Sequence, residues 1–181
     1  MIAPALCGRP ATDDAFAAEI GWHKLRASPE VTLRLATDAD CIALAATLRA
    51  VDVAQIAATG EATPLEAMRR SLAGSSHAVT ALTSDGRVIC IFGVGGAGFL
   101  SLAACPWLFG SDLIDARWRL FARLSRKYLV AMLDLYPWLS GYVAAQHWSA
   151  IRWLEWLGFH VGRAQPIGRN GKTLRPFNLR K

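Results

Sequence analysis

Val31, Leu33 and Leu35 alternate with Thr32 and Arg34, the period-two pattern of a strand with one buried face. Directly after it, Thr37-Asp38-Ala39-Asp40 offers helix-capping side chains, and Ile42, Leu44, Ala45 and Leu48 recur at helical spacing. A second helix is predicted from Thr63-Pro64-Leu65-Glu66, where Thr63 caps, Pro64 suits the first helical position and Glu66 completes a capping box; it should end near Gly74. His77 to Thr83 and Arg87 to Val94 read as strands around Ser84-Asp85-Gly86, a hairpin signal, with Phe99 to Cys105 as a third neighbouring strand.

Asp112 to Tyr136 is the longest helical stretch, with Trp118, Phe121, Tyr128, Met132 and Leu135 on an apolar stripe and Arg119, Arg123, Arg126 and Lys127 on a basic outer face. Asp112 is placed to cap it, and Pro137 stops it. Trp138 to Ala145 resumes as a strand, and His147 to Leu157 is a short helix closed by Gly158 as a left-handed cap. Its Trp148, Trp153 and Trp156 are expected to pack first and to offer a contact surface second. Two strands, His160 to Ile167 and Thr173 to Leu179, finish the chain around an Asn170-Gly171 turn. The order β-α-α-β-β-β-α-β-α-β-β describes an α/β fold on a mixed sheet. It implies one domain over 31–181 behind an arm over 1–30.

Gly93-Val94-Gly95-Gly96-Ala97-Gly98 spells G-x-G-x-x-G, but a dinucleotide fingerprint needs a helix opening directly after it. FLSLAAC and then Pro106 follow instead, so a glycine turn between two strands is expected. The uncharged run from Val88 to Ser111 has membrane-spanning length. Its interior glycines at ~1 kcal/mol each and its proline at ~3 kcal/mol would make a poor helix, so no membrane association is expected.

Residues 1–159 hold 14 Lys/Arg against 14 Asp/Glu, so the net charge of +6 lies in the last 22 residues. Those cations, on Arg163, Arg169, Lys172, Arg175, Arg180 and Lys181, make nucleic acid a candidate partner of the C-terminal strands. The Arg119, Arg123 and Arg126 face is a second basic surface. Cys7, Cys41, Cys90 and Cys105 form no C-x-x-C pair and have no His at ligand spacing, which indicates neither a metal site nor a disulfide framework.

The element order, and SAIRWLEWLGFH at 149–160, resemble the GCN5-related N-acetyltransferase superfamily, whose late helix ends A-I-x-x-Y-E-K-L-G-F. Ala150, Ile151, Glu155, Leu157, Gly158 and Phe159 fall in place. A narrower likeness is to tailed-phage proteins of this fold, including the small internal virion protein, through Pro106 to Asp112, Ser125-Arg126 and Ser149 to Leu154.

The superfamily likeness implies acetyl-coenzyme A as cofactor, with its pyrophosphate on a Q/R-x-x-G-x-G/A loop at the start of the long helix. The matching stretch is Trp107-Leu108-Phe109-Gly110-Ser111-Asp112, in which Gly110 is retained and Asp112 replaces a small residue. A carboxylate about 4 Å from a phosphate repels it by ~1 kcal/mol in water and more where partly buried. Leu108, Phe109, Gly110, Ser111 and Asp112 are thus expected to form an altered phosphate loop, with His147 beside it at the family's Asn position. Leu154 stands where the family has its Tyr. His147, Tyr142 and Cys105 are the catalytic candidates, with Tyr136 a more distant substitute. The phage likeness implies an assembly or virion protein with a degenerate cofactor site, acting in the host cytoplasm with other phage structural proteins. The alternative is an active N-acetyltransferase with an unknown amine acceptor.

Overall fold

A computed structural model describes residues 30–60, 63–96 and 102–181. The arm expected over 1–30 lies, but for Glu30, outside them, as do Cys7 and residues 97–101. The alternating run at Val31–Leu35 forms β1, which pairs antiparallel with β2 (His77–Thr83). The Asp85-Gly86 hairpin, with Gly86 at φ +83°, turns β2 into β3 (Val88–Gly96), and β3 pairs antiparallel with β4 (Ala103–Gly110). β5 (Trp138–Ala144) runs parallel to β4, and β7 (Leu174–Arg180) lies antiparallel between β5 and β6 (His160–Val161). The sheet order is β1-β2-β3-β4-β5-β7-β6. An Asn170-Gly171 turn, with φ of 55° and 72°, leads into β7.

Three helices cover one face: α1 (Asp38–Ala45), α2 (Ala50–Thr59) and α3 (Pro64–Ala73). Cys41, Leu44, Ile56 and Met68 pack there on Ile91, Trp107 and Phe109. On the other face, α4 (Leu113–Ala116), α5 (Trp118–Leu135) and α6 (Trp148–Trp156) set Ile114, Tyr128, Met132, Ile151 and Leu154 against Val79, Val94, Leu139 and Val143. Each face of the sheet is therefore buried under helices, the layered solution for a sheet with apolar residues on both sides.

Local chemistry explains most of these elements. Thr63 accepts the Glu66 N–H at 3.2 Å and donates its hydroxyl to Glu66 Oε2 at 2.8 Å, while Pro64 opens α3. At α1 the buried Asp40 carboxylate takes the Thr37 N–H at 2.9 Å, the Thr80 hydroxyl at 2.9 Å and two Arg34 N–H groups at 2.8 and 2.6 Å. This knot ties β1, α1 and β2 together. Gly158 caps the chain after α6 at φ +98°.

The structure corrects several expectations. The pattern over 50–62 suggested no element, yet α2 forms there. AVDVAQIAAT carries no amphipathic stripe and its Arg49 makes no side-chain cap, so only the left-handed Gly60 marks its end. The expected helix from Asp112 to Tyr136 is broken at Arg117 (φ −118°, ψ 23°) into α4 and α5, and Asp112 precedes only the one-turn α4. Trp118, placed on the buried stripe, is 62% exposed, and Trp148 and Trp156 stand 60% and 46% exposed instead of packing.

Gly93 to Gly96 form no turn either, because they lie inside β3. A Cβ on Gly93 would come 2.5 Å from His77 O and 2.8 Å from the Trp107 ring, and one on Gly95 would collide with Gly74 O. Close approach of a neighbouring backbone and ring therefore accounts for these glycines. The strand expected over Phe99 to Cys105 instead runs Ala103–Gly110, with 99–101 outside the described residues.

Candidate functional site: a cleft where the sheet parts

β4 and β5 pair only at Ala103/Trp138 and Ala104/Leu139. Beyond that point they diverge, and the sequence gives the reason. Ser111 N–H bonds Ile89 O at 2.9 Å, so by antiparallel alternation residues 105, 107 and 109 of β4 bond β3. Residues 106, 108 and 110 turn their backbone groups toward β5. Continuing the parallel ladder would require an N–H from residue 106, and Pro106 has none.

On the facing strand, Ala145 N–H bonds Thr173 O at 3.0 Å, so 143 and 141 face β7 while 140, 142 and 144 face the gap. The wide end of the gap is fastened by α2. Gln55 Oε1 accepts the Ala144 N–H at 2.6 Å and Gln55 Nε2 donates to Tyr142 O at 3.4 Å. Across the gap, Asp52 Oδ2 accepts the Gly110 N–H at 3.1 Å and the Arg49 Nε–H at 2.9 Å, and Gly110 O accepts the Arg49 N–H at 3.0 Å. The Pro106 carbonyl and both Leu108 backbone groups lie between these fastenings, facing the Tyr142 N–H.

A cavity of about 310 Å³ opens at this gap and continues between the sheet and α5 and α6. Its walls are mainly apolar, including Leu108, Phe121, Val143 and Trp153. Its polar groups include Arg49 at the N-cap of α2, Asp52 and Gln55 on α2, Arg117 before α5, Tyr142 and His147. Asp52 is a buried carboxylate, and Arg49 joins it to Asp115, 3.5 Å away on α4.

His147 and Tyr142 thus meet at one cavity. Burial pushes the His147 pKa below its usual value of 6.5, although the Asp52 charge works in the opposite direction. The His147 side chain makes no helix-cap hydrogen bond. Tyr142 packs its ring with Ala58, Ala144 and Leu174 on the α2 side.

Cys105 lies in β4 beside Gly141, where a Cβ would come 3.1 Å from its Sγ. Burial raises its thiol to about 11, which disfavours the nucleophilic thiolate. Cys105 does not line the cavity. Tyr136 is remote from this acid–base group, its ring resting against Gly96.

The expected phosphate loop needs the larger correction. Leu108, Phe109 and Gly110 are strand, and both backbone groups of Gly110 are taken by α2. Ser111 bridges to Leu48, and its Oγ lies 2.9 Å from both Val88 O and Ile89 O. Asp112 is exposed at the start of α4. The first turn of α5 follows, beside Arg117 and Arg119. Among the described residues no His, Cys, Asp or Glu cluster could hold a metal ion, and no helix is long and apolar enough to cross a membrane.

Solved structures share this overall fold across more than four-fifths of the chain. The fold is that of the GCN5-related N-acetyltransferases. A phosphinothricin acetyltransferase of this superfamily from Sinorhizobium meliloti, in complex with acetyl-coenzyme A, superposes with TM-score 0.59 at 18% identity, covering 83% of this chain and 88% of that one. A spermidine N-acetyltransferase from Vibrio cholerae, in complex with coenzyme A and spermine, gives 0.60 at 12%, covering 84% and 96%. A ribosomal-protein-alanine N-acetyltransferase from Brucella melitensis gives 0.58 at 20%, covering 82% and 99%. No family model and no curated protein matches the chain.

Proposed function

We propose that this chain is an acyl-coenzyme-A-dependent N-acyltransferase acting on an amine. The observation that carries the reading is the gap between β4 and β5, where strand edges without ladder partners face an apolar cavity. An extended amide-bearing chain such as the pantetheine arm fits such edges, because it can pair with the Leu108 backbone and the Tyr142 N–H as a neighbouring strand would. Phosphates would be held at the first turn of α5 by its amides, its partial positive charge and the Arg117 and Arg119 guanidinium groups. When bound, the cofactor supplies an acyl group activated as a thioester.

The chain's own residues then have distinct tasks. His147, neutral at pH 7 because it is buried, is placed to accept the proton that an ammonium acceptor must lose before it can attack. The Asp52 charge on α2 works to raise the His147 pKa and so favours the resulting imidazolium. Arg49 holds Asp52 in place at 2.9 Å. The Tyr142 hydroxyl is the candidate donor to the leaving sulfur. Phe121, Trp153 and Leu108 keep water from the thioester.

Titration calorimetry with acetyl-coenzyme A and coenzyme A tests the proposal. Micromolar binding of both, with thiol release when an amine is added, is the expected result. A ligand at 100 times its dissociation constant would also add about 2.7 kcal/mol to stability.

A second reading, a fold kept for assembly with its cofactor site altered, draws on one observation: the segment between β4 and α5 has no glycine after Gly110 and is wound into α4. The narrower likeness to phage virion proteins supports it from sequence pattern alone. Absence of heat with either ligand at high micromolar concentration would favour it and sink the acyltransferase reading.

A further inference from the structure

The outer faces of α5 and α6 carry a pattern of which the cleft uses only Arg119. Trp148, Arg152 and Trp156 sit at i, i+4 and i+8 on α6, so they form one stripe, and all three are exposed. Arg119, Arg123 and Arg126 sit at i, i+4 and i+7 on α5 and form another. The stripes meet where the Arg126 guanidinium lies 4.1 Å from the centre of the Trp156 ring. At the other end of α6, Arg175 of β7 lies 5.7 Å over Trp148. Arg119 lies 5.6 Å over Trp118 at the start of α5.

The charge on this face is unbalanced. Among the described residues no ion pair involves Arg119, Arg123, Arg126, Lys127 or Arg152, whereas Arg34, Arg49, Arg69, Arg87 and Lys181 all have carboxylate partners. Glu155 is the acidic residue of α6, and the Asp134 carboxylate of α5 is taken by Lys181. Around the C-terminal strands, in contrast, Arg169 is bonded to Gly60 O and Lys181 to Asp134.

Aromatic faces large enough to hold a base, alternating with cations spaced about a helical turn apart, are what a single strand of nucleic acid requires. Every base has a π face that stacks on tryptophan, and its phosphates meet the arginines whatever the sequence. A smooth acidic protein would use the cations but has no need of three exposed indoles among them. We infer that the α5–α6 face binds single-stranded nucleic acid without strong sequence preference, with bases stacked on Trp148 and Trp156 and phosphates on Arg123, Arg126 and Arg152. The surface lies outside the β4–β5 cleft, so the inference stands or falls apart from the acyltransferase reading.

Fluorescence anisotropy of the full chain with a labelled 15-residue oligo(dT), its duplex with oligo(dA), and poly-glutamate as an acidic control tests it, with saturating acetyl-coenzyme A present and absent. Single-strand binding should survive the acetyl-coenzyme A. It should exceed duplex binding and weaken with salt at a log–log slope of about −2, as three neutralised phosphates at ~0.7 each imply. Trp148→Ala and Trp156→Ala should each weaken it roughly tenfold without changing the slope. Arg123→Ala should instead make the slope shallower by about 0.7. These side chains are exposed, so melting temperatures should not move. Equal affinity for duplex and single strand with no effect of the tryptophans would overturn the inference, as would binding of poly-glutamate alone or no binding at low salt.

Discussion

Gln55 Oε1 accepts the N–H of Ala144 at 2.6 Å, so a helix packed over one half of the sheet holds the edge of the other half. Replacing Gln55 with Ala leaves the Ala144 N–H and the Tyr142 carbonyl without these partners. The expected loss is about 2 kcal/mol, the cost of buried backbone groups left unsatisfied. Urea unfolding of Gln55→Ala measures it, and an unchanged midpoint would show that water replaces the amide at no cost.

Pro106→Ala supplies the N–H that the parallel ladder lacks. One further β4–β5 hydrogen bond should form, stabilising the chain by about 1 kcal/mol while narrowing the cleft. Acetyl-coenzyme A affinity should fall as thermal stability rises. A variant gaining both would refute this account of why the strands part.

Gly95→Ala places a methyl group against the Gly74 carbonyl. Neither partner is a movable side chain, so the substitution should cost about 2 kcal/mol or more. Gly171→Ala is a useful contrast, since a Cβ there meets nothing within 4 Å and the strain arises only from φ +72°. Calorimetric melting of the two variants separates collision from backbone strain.

His147 sets an expected pH profile. Its pKa lies below 6.5, so kcat/KM should rise with pH through that lower value and be level by neutral pH. His147→Gln should lower kcat by about a hundredfold, the low end of general-base contributions, and remove the acid limb. The same depression costs stability in acid: below pH 6.5 the unfolded chain takes up a proton that the folded chain refuses.

Asp40 acts at lower pH. Burial works to raise its pKa, and the hydrogen bonds from Arg34, Thr37 and Thr80 outweigh that and hold it below the usual 3.8. A depressed carboxylate contributes stability in full above its unfolded pKa and loses it as pH falls through the folded one. Asp40→Asn should therefore flatten the acid limb of the stability curve below about pH 5, as equilibrium unfolding at stepped pH would reveal.

Wherever one strong local signal acts alone, sequence and structure agree: the Thr63-Pro64 cap, the Asp85-Gly86 hairpin, the left-handed Gly158. Patterns that another part of the chain must satisfy misled. Gly93 and Gly95 look like a turn until a ring and a backbone are laid against them. α2 has no stripe because its Asp52 and Gln55 face inward to hold strand edges, which no periodicity announces. Trp148 and Trp156 look like core residues by composition, but they share the outer stripe of α6 with Arg152, opposite the buried Ile151 and Leu154. The Leu108–Asp112 stretch resembles the superfamily's phosphate loop in spelling, but the pairing of β4 with β3 takes Leu108, Phe109 and Gly110 into the sheet. His147 and Tyr142 could be picked out as candidates, but Arg49 and Asp52, nearly a hundred residues earlier, could not.

The two-pair seam between β4 and β5 also bears on cooperativity. β1 to β4 form one hydrogen-bonded block and β5, β7 and β6 another, and few backbone bonds cross between them. Such a chain has two natural units of partial opening. Amides of β5 and β7 should exchange with solvent as one group, ahead of those of β2 and β3. A molecule lying in the seam would be a rivet between blocks, and its binding would appear first as a merging of those two exchange rates into one.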